Sequence, residues 1–450
     1  MNRGITLVVP FVLAAIQLRA GEDVLRISLR QAIELALSPG TVKVELGKQQ
    51  AAAAALRIRQ EKVPTSLLAE ASIADRAFRV DLRALGIDIP QFSQFISTIQ
   101  FPETEGPFSV LDPRIRATKS LINRAAAKRV RAAEGGIDEL RSAGNEVREQ
   151  IAADTTRVYL EAVRASEIVE LAQGAIELSR AFVSFATERK SNGLAAESEV
   201  RRATMELNSN RQKLSSARVE QGRSILRLLY LLNLDFNQTL ELTDRFLPAS
   251  REITLEDAIA AAGRTNPSLV TQQVRAQNLR LSDDAVRATW QPTLSAFGDF
   301  GGVIVAPDPT GGDLSKSFTW VAGLELKIPV FDGHRREIEH ESLLLQIRQQ
   351  EIRQRDLRRQ IELNVRLAFS NLVESRQQLE LAAENAKAAD LDFTEIRASH
   401  SAGNSSALEV REAEARKAQA EDGRIAALYH NTLARLALAE AIGSVSSLDW

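Results

Sequence analysis

The stretch ISLRQAIELAL at Ile27–Leu37 returns as ITLEDAIAAAG at Ile253–Gly263, with Leu29, Ala32 and Ile33 answered by Leu255, Ala258 and Ile259. NGLAAESEVRRA at Asn192–Ala203 returns as AGNSSALEVREA at Ala402–Ala413, where Gly403 answers Gly193. Pro64 and Leu67 precede one candidate strand as Pro292 and Leu294 precede another, and the interval from Ile151 to Gly193 equals that from Ile361 to Gly403. Repeats that recur in the same order at matched spacing oblige the chain to build one plan twice. The seam falls near Leu247-Pro248, so the sequence predicts a leader over 1–20, a first repeat over 21–247 and a second over 248–450.

Each repeat reads as a short amphipathic helix, a longer helix, a strand, a polar loop, a strand, a very long helix, a Gly-containing turn and another long helix. The second repeat shows this most clearly, with a hairpin over 293–330. In SFTWVAGLELK, Phe318, Trp320, Ala322, Leu324 and Leu326 alternate with Thr319, Val321, Gly323, Glu325 and Lys327, the period of a strand with two unlike faces. After Pro329–Gly333 the grammar turns helical, and no Pro or Gly follows from Arg335 to Ser399. One helix over that span reaches on the order of 100 Å at about 1.5 Å per residue. Ile361, Val365, Ala368, Leu372, Leu379, Ala383 and Ala386 keep a four-three rhythm, the seam of a coiled coil.

The first repeat is less regular. Leu67, Ala69, Ala71 and Ile73 alternate with Leu68, Glu70, Ser72 and Ala74, but the returning strand carries Pro113, which central strands exclude, so it is expected to be the weakest element. A long structured loop with a helical piece is expected over 75–106. Gly135-Gly136 and Gly144 are expected to loosen the start of the first long helix.

Composition narrows the classes. The 57 basic and 59 acidic residues give a net charge of -2, without the basic surplus that a nucleic-acid partner demands. There is no Cys, which removes disulfides, thiolate metal sites, Cys nucleophiles and a lipidated N-terminal Cys. Arg3, the apolar Ile5–Ile16 and small Ala20 compose an export signal, with an apolar stretch short of the roughly 20 residues of a spanning helix. An exported chain of this kind meets a bilayer through strands, and four strands cannot close a barrel, so several copies must share one. Trp320, Ala322, Leu324 and Leu326, with Phe318, form the expected lipid-facing strand surface, while Thr319, Glu325 and Lys327 face water.

ITLEDAIAAAGRTNPSLVTQQVRAQ, the strand exit LELKIPVFDGHRR and the paired turns GL…EVRRA and GN…LEVREA resemble the TolC-like outer-membrane efflux protein family across nearly the whole mature chain. The resemblance implies a mainly α fold with a membrane β-barrel portion. In it a homotrimer pools four strands per chain into a twelve-stranded β-barrel, continued by a long α-helical barrel built from two direct repeats. It implies an outer-membrane exit channel of a tripartite efflux pump, with a periplasmic adaptor (membrane fusion) protein and an inner-membrane transporter as partners and outer-membrane lipid around the barrel. A type I protein secretion duct shares that fold, and a periplasmic coiled-coil scaffold is a reading from another class.

The resemblance also assigns sites. The turns holding Gly193, Leu194, Gly403 and Ser405 become the periplasmic tip where the adaptor docks. Two family acidic positions match Glu409 and Glu412, which a threefold axis turns into rings of carboxylates. At roughly 6 Å and an effective dielectric near 20, two such charges repel by about 3 kcal/mol. Family latch positions match His400 and Ser405, neither of them the aromatic or basic residue some relatives carry, and an intersubunit Arg202–Glu412 pair is the alternative latch. No enzyme is expected: among His334, His340, His400 and His430 there is no HExxH arrangement, and no Walker loop or nucleophile elbow occurs. Glu339-His340-Glu341 reads as a solvated helix start rather than a metal site, and no cofactor is expected.

Overall fold

A computed structural model of the chain describes residues 24–81, 104–193, 195–246, 253–306, 315–402 and 404–447. The expected leader, the repeat seam, most of the 75–106 loop with its helical piece, Leu194 and Gly403 lie outside the described residues. In order, the elements are β1 (Leu25–Ile27), α1 (Leu29–Ala36), α2 (Val42–Lys62), β2 (Leu67–Asp81), β3 (Thr104–Ile122), α3 (Arg124–Ser191) and α4 (Glu197–Leu232). There follow β4 (Leu240–Leu242), α5 (Leu255–Thr265), α6 (Pro267–Arg287), β5 (Thr293–Ala306), β6 (Ser315–Lys327), α7 (Arg335–Ser401) and α8 (Ala407–Ile442). The helix-helix-strand-strand-helix-helix series therefore occurs twice. α8 begins and ends 210 residues after α4, and both helices end in a left-handed residue, Asn233 in one and Gly443 in the other.

The chain forms two compact bodies, and neither is a repeat: each draws on both halves of the sequence. The first comprises Met1–Leu46, Asn145–Pro267 and Arg359–Trp450. Its core gathers Ile27, Leu29 and Ile33 with Ile151, Tyr159 and Val163 of α3, Leu228 and Leu232 of α4, and Leu436 and Ala439 of α8. Among the described residues Tyr159 is the largest fully buried side chain; its hydroxyl donates to the Ile27 carbonyl at 3.1 Å and accepts from the Asp244 N–H at 3.3 Å. Burial pushes its pKa up to about 12. Asp244 in turn accepts from the Leu29 N–H at the start of α1 at 2.6 Å, and Ser28 closes a capping box with Gln31.

The second body comprises Gly47–Gly144 and Ser268–Arg358 and holds a four-stranded antiparallel sheet in the order β2-β3-β5-β6. Three sequence expectations change here. The expected 75–106 loop is strand at both ends, since β2 runs to Asp81 and β3 starts at Thr104. β3, expected to be weakest, is a 19-residue central strand paired on both sides. Its Pro113 is accommodated because Gly301-Gly302 lie across from it on β5, where the ladder skips Asp112 and Pro113; a Cβ at Gly301 would stand 2.9 Å from the Pro113 carbonyl. Finally, α3 runs through Gly135, Gly136 and Gly144 without a break. At Gly135 the missing Cβ makes room for α6, since it would lie 2.9 Å from Asn278 Oδ1 and 3.0 Å from Leu281 Cδ1.

Candidate functional site

The sheet largely separates its side chains, with Lys119, Asp75 and Lys316 as charged exceptions on the apolar face. In register across the four strands, Ile73, Pro113, Ile115, Phe300, Phe318, Trp320, Leu324 and Leu326 share one face. Phe318 is 77% exposed and Trp320 75%, with Leu67, Ile73, Leu324 and Leu326 comparably bare. The opposite face carries Glu70, Ser72, Arg114, Arg116, Asp299, Thr319, Glu325 and Lys327. On it Asp299 is buried between Arg114 at 3.2 Å and Arg116 at 3.0 Å, while Arg114 also reaches Asp112 at 2.7 Å. Among the described residues β2 and β6 each have a neighbour on one side only. A sheet of two strands and their copy in antiparallel order has edges that run in opposite directions, so copies can be joined edge to edge without breaking the alternation.

The two helix turns belong to the first body. Between α3 and α4, Gly193 takes a left-handed conformation, φ 72°, and its N–H donates to the Lys190 carbonyl at 3.0 Å. Lys190 pairs with Glu197 and Arg189 with Glu199 at 3.5 Å, tying the turn across itself. The neighbouring Lys190 ammonium holds the Glu197 carboxyl below its usual range. Between α7 and α8, His400 Nδ1 donates to the Ser405 carbonyl at 2.7 Å, and Ser405 Oγ donates to Ser399 Oγ at 2.8 Å. The His400 ring also meets Phe185 of α3 edge-on at 5.8 Å. The two latch positions thus contact each other inside one chain. Beneath them, Phe393, Val410 and Ala413 form a small buried cluster against Leu178, Phe182 and Ile396.

The four gate residues have different surroundings. Glu409 is the third residue of a capping box: Ser406 N donates to its carboxylate at 2.7 Å, and its own N–H donates to Ser406 Oγ at 3.3 Å. Glu412 is exposed at the rim of a groove of about 600 Å³ between α3, α4 and α8. Arg202 is exposed too, and among the described residues neither it nor Glu412 makes an ion pair within the chain. His400 is half-buried and engaged as above.

The groove holds a residue that the sequence reading passed over. Glu414, half-buried on α8, has its pKa pushed up to about 7 by burial and by the Glu206 carboxylate, against the pull of Arg411 and Lys213. Arg411 bridges to Glu206 at 3.5 Å. The available signal was its position four residues after Val410, which puts it beside the buried stripe. His340, the centre of Glu339-His340-Glu341, places Nδ1 2.5 Å from Asp283 Oδ1 and its ring edge-on to Trp290.

Residues 258–444 match the family model described as outer membrane efflux protein. Over 230 residues the chain is 26% identical to protein CyaE of Bordetella pertussis, and the match spans about half the length of each. Among solved structures, a membrane protein from Pseudomonas aeruginosa superposes with a TM-score of 0.70 at 15% identity, covering 92% of this chain and 90% of that one. The outer membrane protein VceC of Vibrio cholerae gives 0.68 at 14% identity, covering 92% and 96%, and the outer membrane channel CmeC of Campylobacter jejuni gives 0.68 at 16%, covering 94% and 87%. Residues 258–444 thus carry the sequence pattern of the outer membrane efflux proteins, and the chain has the fold of outer-membrane channels over nearly its whole length.

Proposed function

We propose that this chain is the outer-membrane exit channel of a tripartite efflux pump, conducting substrates passively from the periplasm or an inner-membrane transporter to the exterior. Three copies pool their four-stranded sheets into a twelve-stranded barrel, and their long helices form a tunnel on the periplasmic side. The observation that carries this reading is the sheet itself: a largely apolar face bearing exposed Leu67, Ile73, Phe318, Trp320, Leu324 and Leu326, opposite a charged face, on strands of 13 to 19 residues whose outer members β2 and β6 are each paired on one side among the described residues. A strand crosses a bilayer core with about 9–11 residues when tilted, so these strands are long enough. Only closure onto further copies satisfies their edges in lipid. A scaffold that never enters a bilayer has no use for that face.

In this assembly Glu412 and Glu409 form carboxylate rings near the tip, with Arg202 and His400 beside them, and the turns at Gly193, Leu194, Gly403 and Ser405 are where the periplasmic adaptor docks. The decisive measurement is oligomeric mass in detergent joined to planar-bilayer conductance. A mass of three chains with discrete channel currents is expected; a lone water-soluble chain without lipid affinity overturns the reading. The pump role is tested separately, by deleting the gene and profiling what the cells retain. Retained small compounds are expected, with photo-cross-links from Ser405 to an adaptor, whereas retained proteins reassign the channel to secretion.

A further inference from the structure

Where β3 hands over to α3 and α6 hands over to β5, the second body carries a groove of about 700 Å³. Arg124, Lys128 and Arg131 line one wall, spaced so that they share one face of α3. Arg287, from the last turn of α6, lines the other together with Trp290 and Gln291. Among the described residues the only carboxylate in the lining is Asp284, which pairs with Lys128 at 3.0 Å. Arg124 donates to Gln291 Oε1 at 3.3 Å, and among the described residues Arg131 and Arg287 make no ion pair. Four cations thus share one counter-charge, and Arg124, Arg131 and Arg287 are all exposed.

The position of the groove identifies its occupant. Ile122, the last residue of β3, pairs with Leu294 on the apolar face and is half exposed. Arg124 follows Ile122 by two residues and its partner Gln291 precedes Leu294 by three, which at about 3.3 Å per residue sets this pair roughly 7–10 Å beyond the end of that face; Lys128 and Arg131 follow along α3 about 6 and 10 Å farther on, at about 1.5 Å per residue. The polar layer on each side of a bilayer core is about 5–8 Å deep. Trp290, 39% exposed at this same level, is the residue type enriched at membrane interfaces.

We propose that this groove binds the phosphate of an anionic phospholipid headgroup, whose acyl chains continue along the Ile122–Leu294 end of the apolar face. The inference rests on the reading that this face lies in a bilayer. Arginines present several donors to a phosphate, and Lys128 adds a point charge. A basic pocket bordering the hydrocarbon selects lipids by headgroup charge.

The test uses the full-length protein reconstituted in nanodiscs of dioleoyl-phosphatidylcholine with a minor fraction of dioleoyl-phosphatidylglycerol, followed by native mass spectrometry of retained lipid. Enrichment of phosphatidylglycerol is expected, falling about tenfold or more in Arg124→Gln/Arg131→Gln/Arg287→Gln and severalfold in Arg287→Gln alone. A charge-matched triple on α4, Arg211→Gln/Arg218→Gln/Arg223→Gln, should leave it unchanged. Millimolar inorganic phosphate should not displace the lipid. Equal enrichment in the groove triple, loss in the α4 triple as large as in the groove triple, or displacement by free phosphate overturns the site while leaving the channel reading intact. Failure of the wild-type chain to enter phosphatidylcholine nanodiscs overturns both.

Discussion

Two glutamates three residues apart have unlike roles because one is committed to the backbone. Glu409 closes the box that starts α8, satisfying the Ser406 N–H and adding negative charge at a helix N-terminus. Glu409→Ala should therefore destabilise the chain by about 0.5–2 kcal/mol in a thermal or denaturant melt, and should be non-additive with Ser406→Ala. Glu412→Ala should leave the melt unchanged within about 0.5 kcal/mol and alter the cation dependence of conductance instead. The S-x-x-E spacing was legible in the sequence all along, yet the family resemblance directs attention to ring charges rather than to the cap. Glu414 was harder to see, since its raised pKa depends on tertiary burial and on the Glu206 carboxylate, far away along the chain. Its carboxyl has a folded pKa of about 7 against an ordinary glutamate value of 4.5, so the folded state holds a proton that the unfolded state has released between those values. Stability from this group is present below about pH 4.5 and lost as pH rises through 7. Glu414→Gln should flatten the fall in melting temperature between pH 5 and 8, by an amount on the order of 1 kcal/mol once solvent screening is allowed for. An unchanged pH profile would reject the assignment.

At the scale of elements, periodicity carried most of the information. The alternation in β6, the seam of α7 and the matched turns specify helices and strands close to those observed. What the pattern could not specify were contacts made across long separations. Pro113 reads as a strand breaker until Gly301-Gly302 is set beside it, and Gly135 reads as a helix breaker until α6 is packed against it. The end of α8 belongs to the same class. Gly443 has φ 83°, and a Cβ there would come 2.3 Å from Pro267 Cδ and 2.9 Å from the Asn266 Cα. Its counterpart Asn233 has φ 55° and a side chain that donates to the Gly40 carbonyl at 3.2 Å. Gly443→Ala should therefore cost about 2–4 kcal/mol, from left-handed strain plus a clash with backbone that cannot move aside. Asn233→Ala, where the strain is similar but no such clash exists, should cost nearer 1 kcal/mol. Chemical denaturation of the two variants side by side separates the terms, and equal losses would remove the α5–α6 turn from the account.

At the scale of the whole molecule, the composition of the two sheet faces determines whether copies assemble in lipid. Trp320 and Glu325 lie on the same strand, β6, five residues apart and on opposite faces. If the apolar face meets hydrocarbon, a cation there must be dragged out of water, at about 2–4 kcal/mol near the bilayer midplane. If the charged face lines a lumen, an exchanged charge stays hydrated and changes only the field felt by passing ions. Trp320→Arg should lower the yield of membrane-inserted, heat-modifiable oligomer, with Leu324→Arg acting in the same direction. Glu325→Lys should leave that yield at the wild-type level and shift the reversal potential toward anion selectivity. Because the sheet's edges demand further copies, the insertion defect should scale with the number of substituted chains in mixed oligomers, each adding its own desolvation penalty. Equal insertion by Trp320→Arg and Glu325→Lys, or a selectivity change confined to Trp320→Arg, would mean that the faces are reversed or that neither touches lipid.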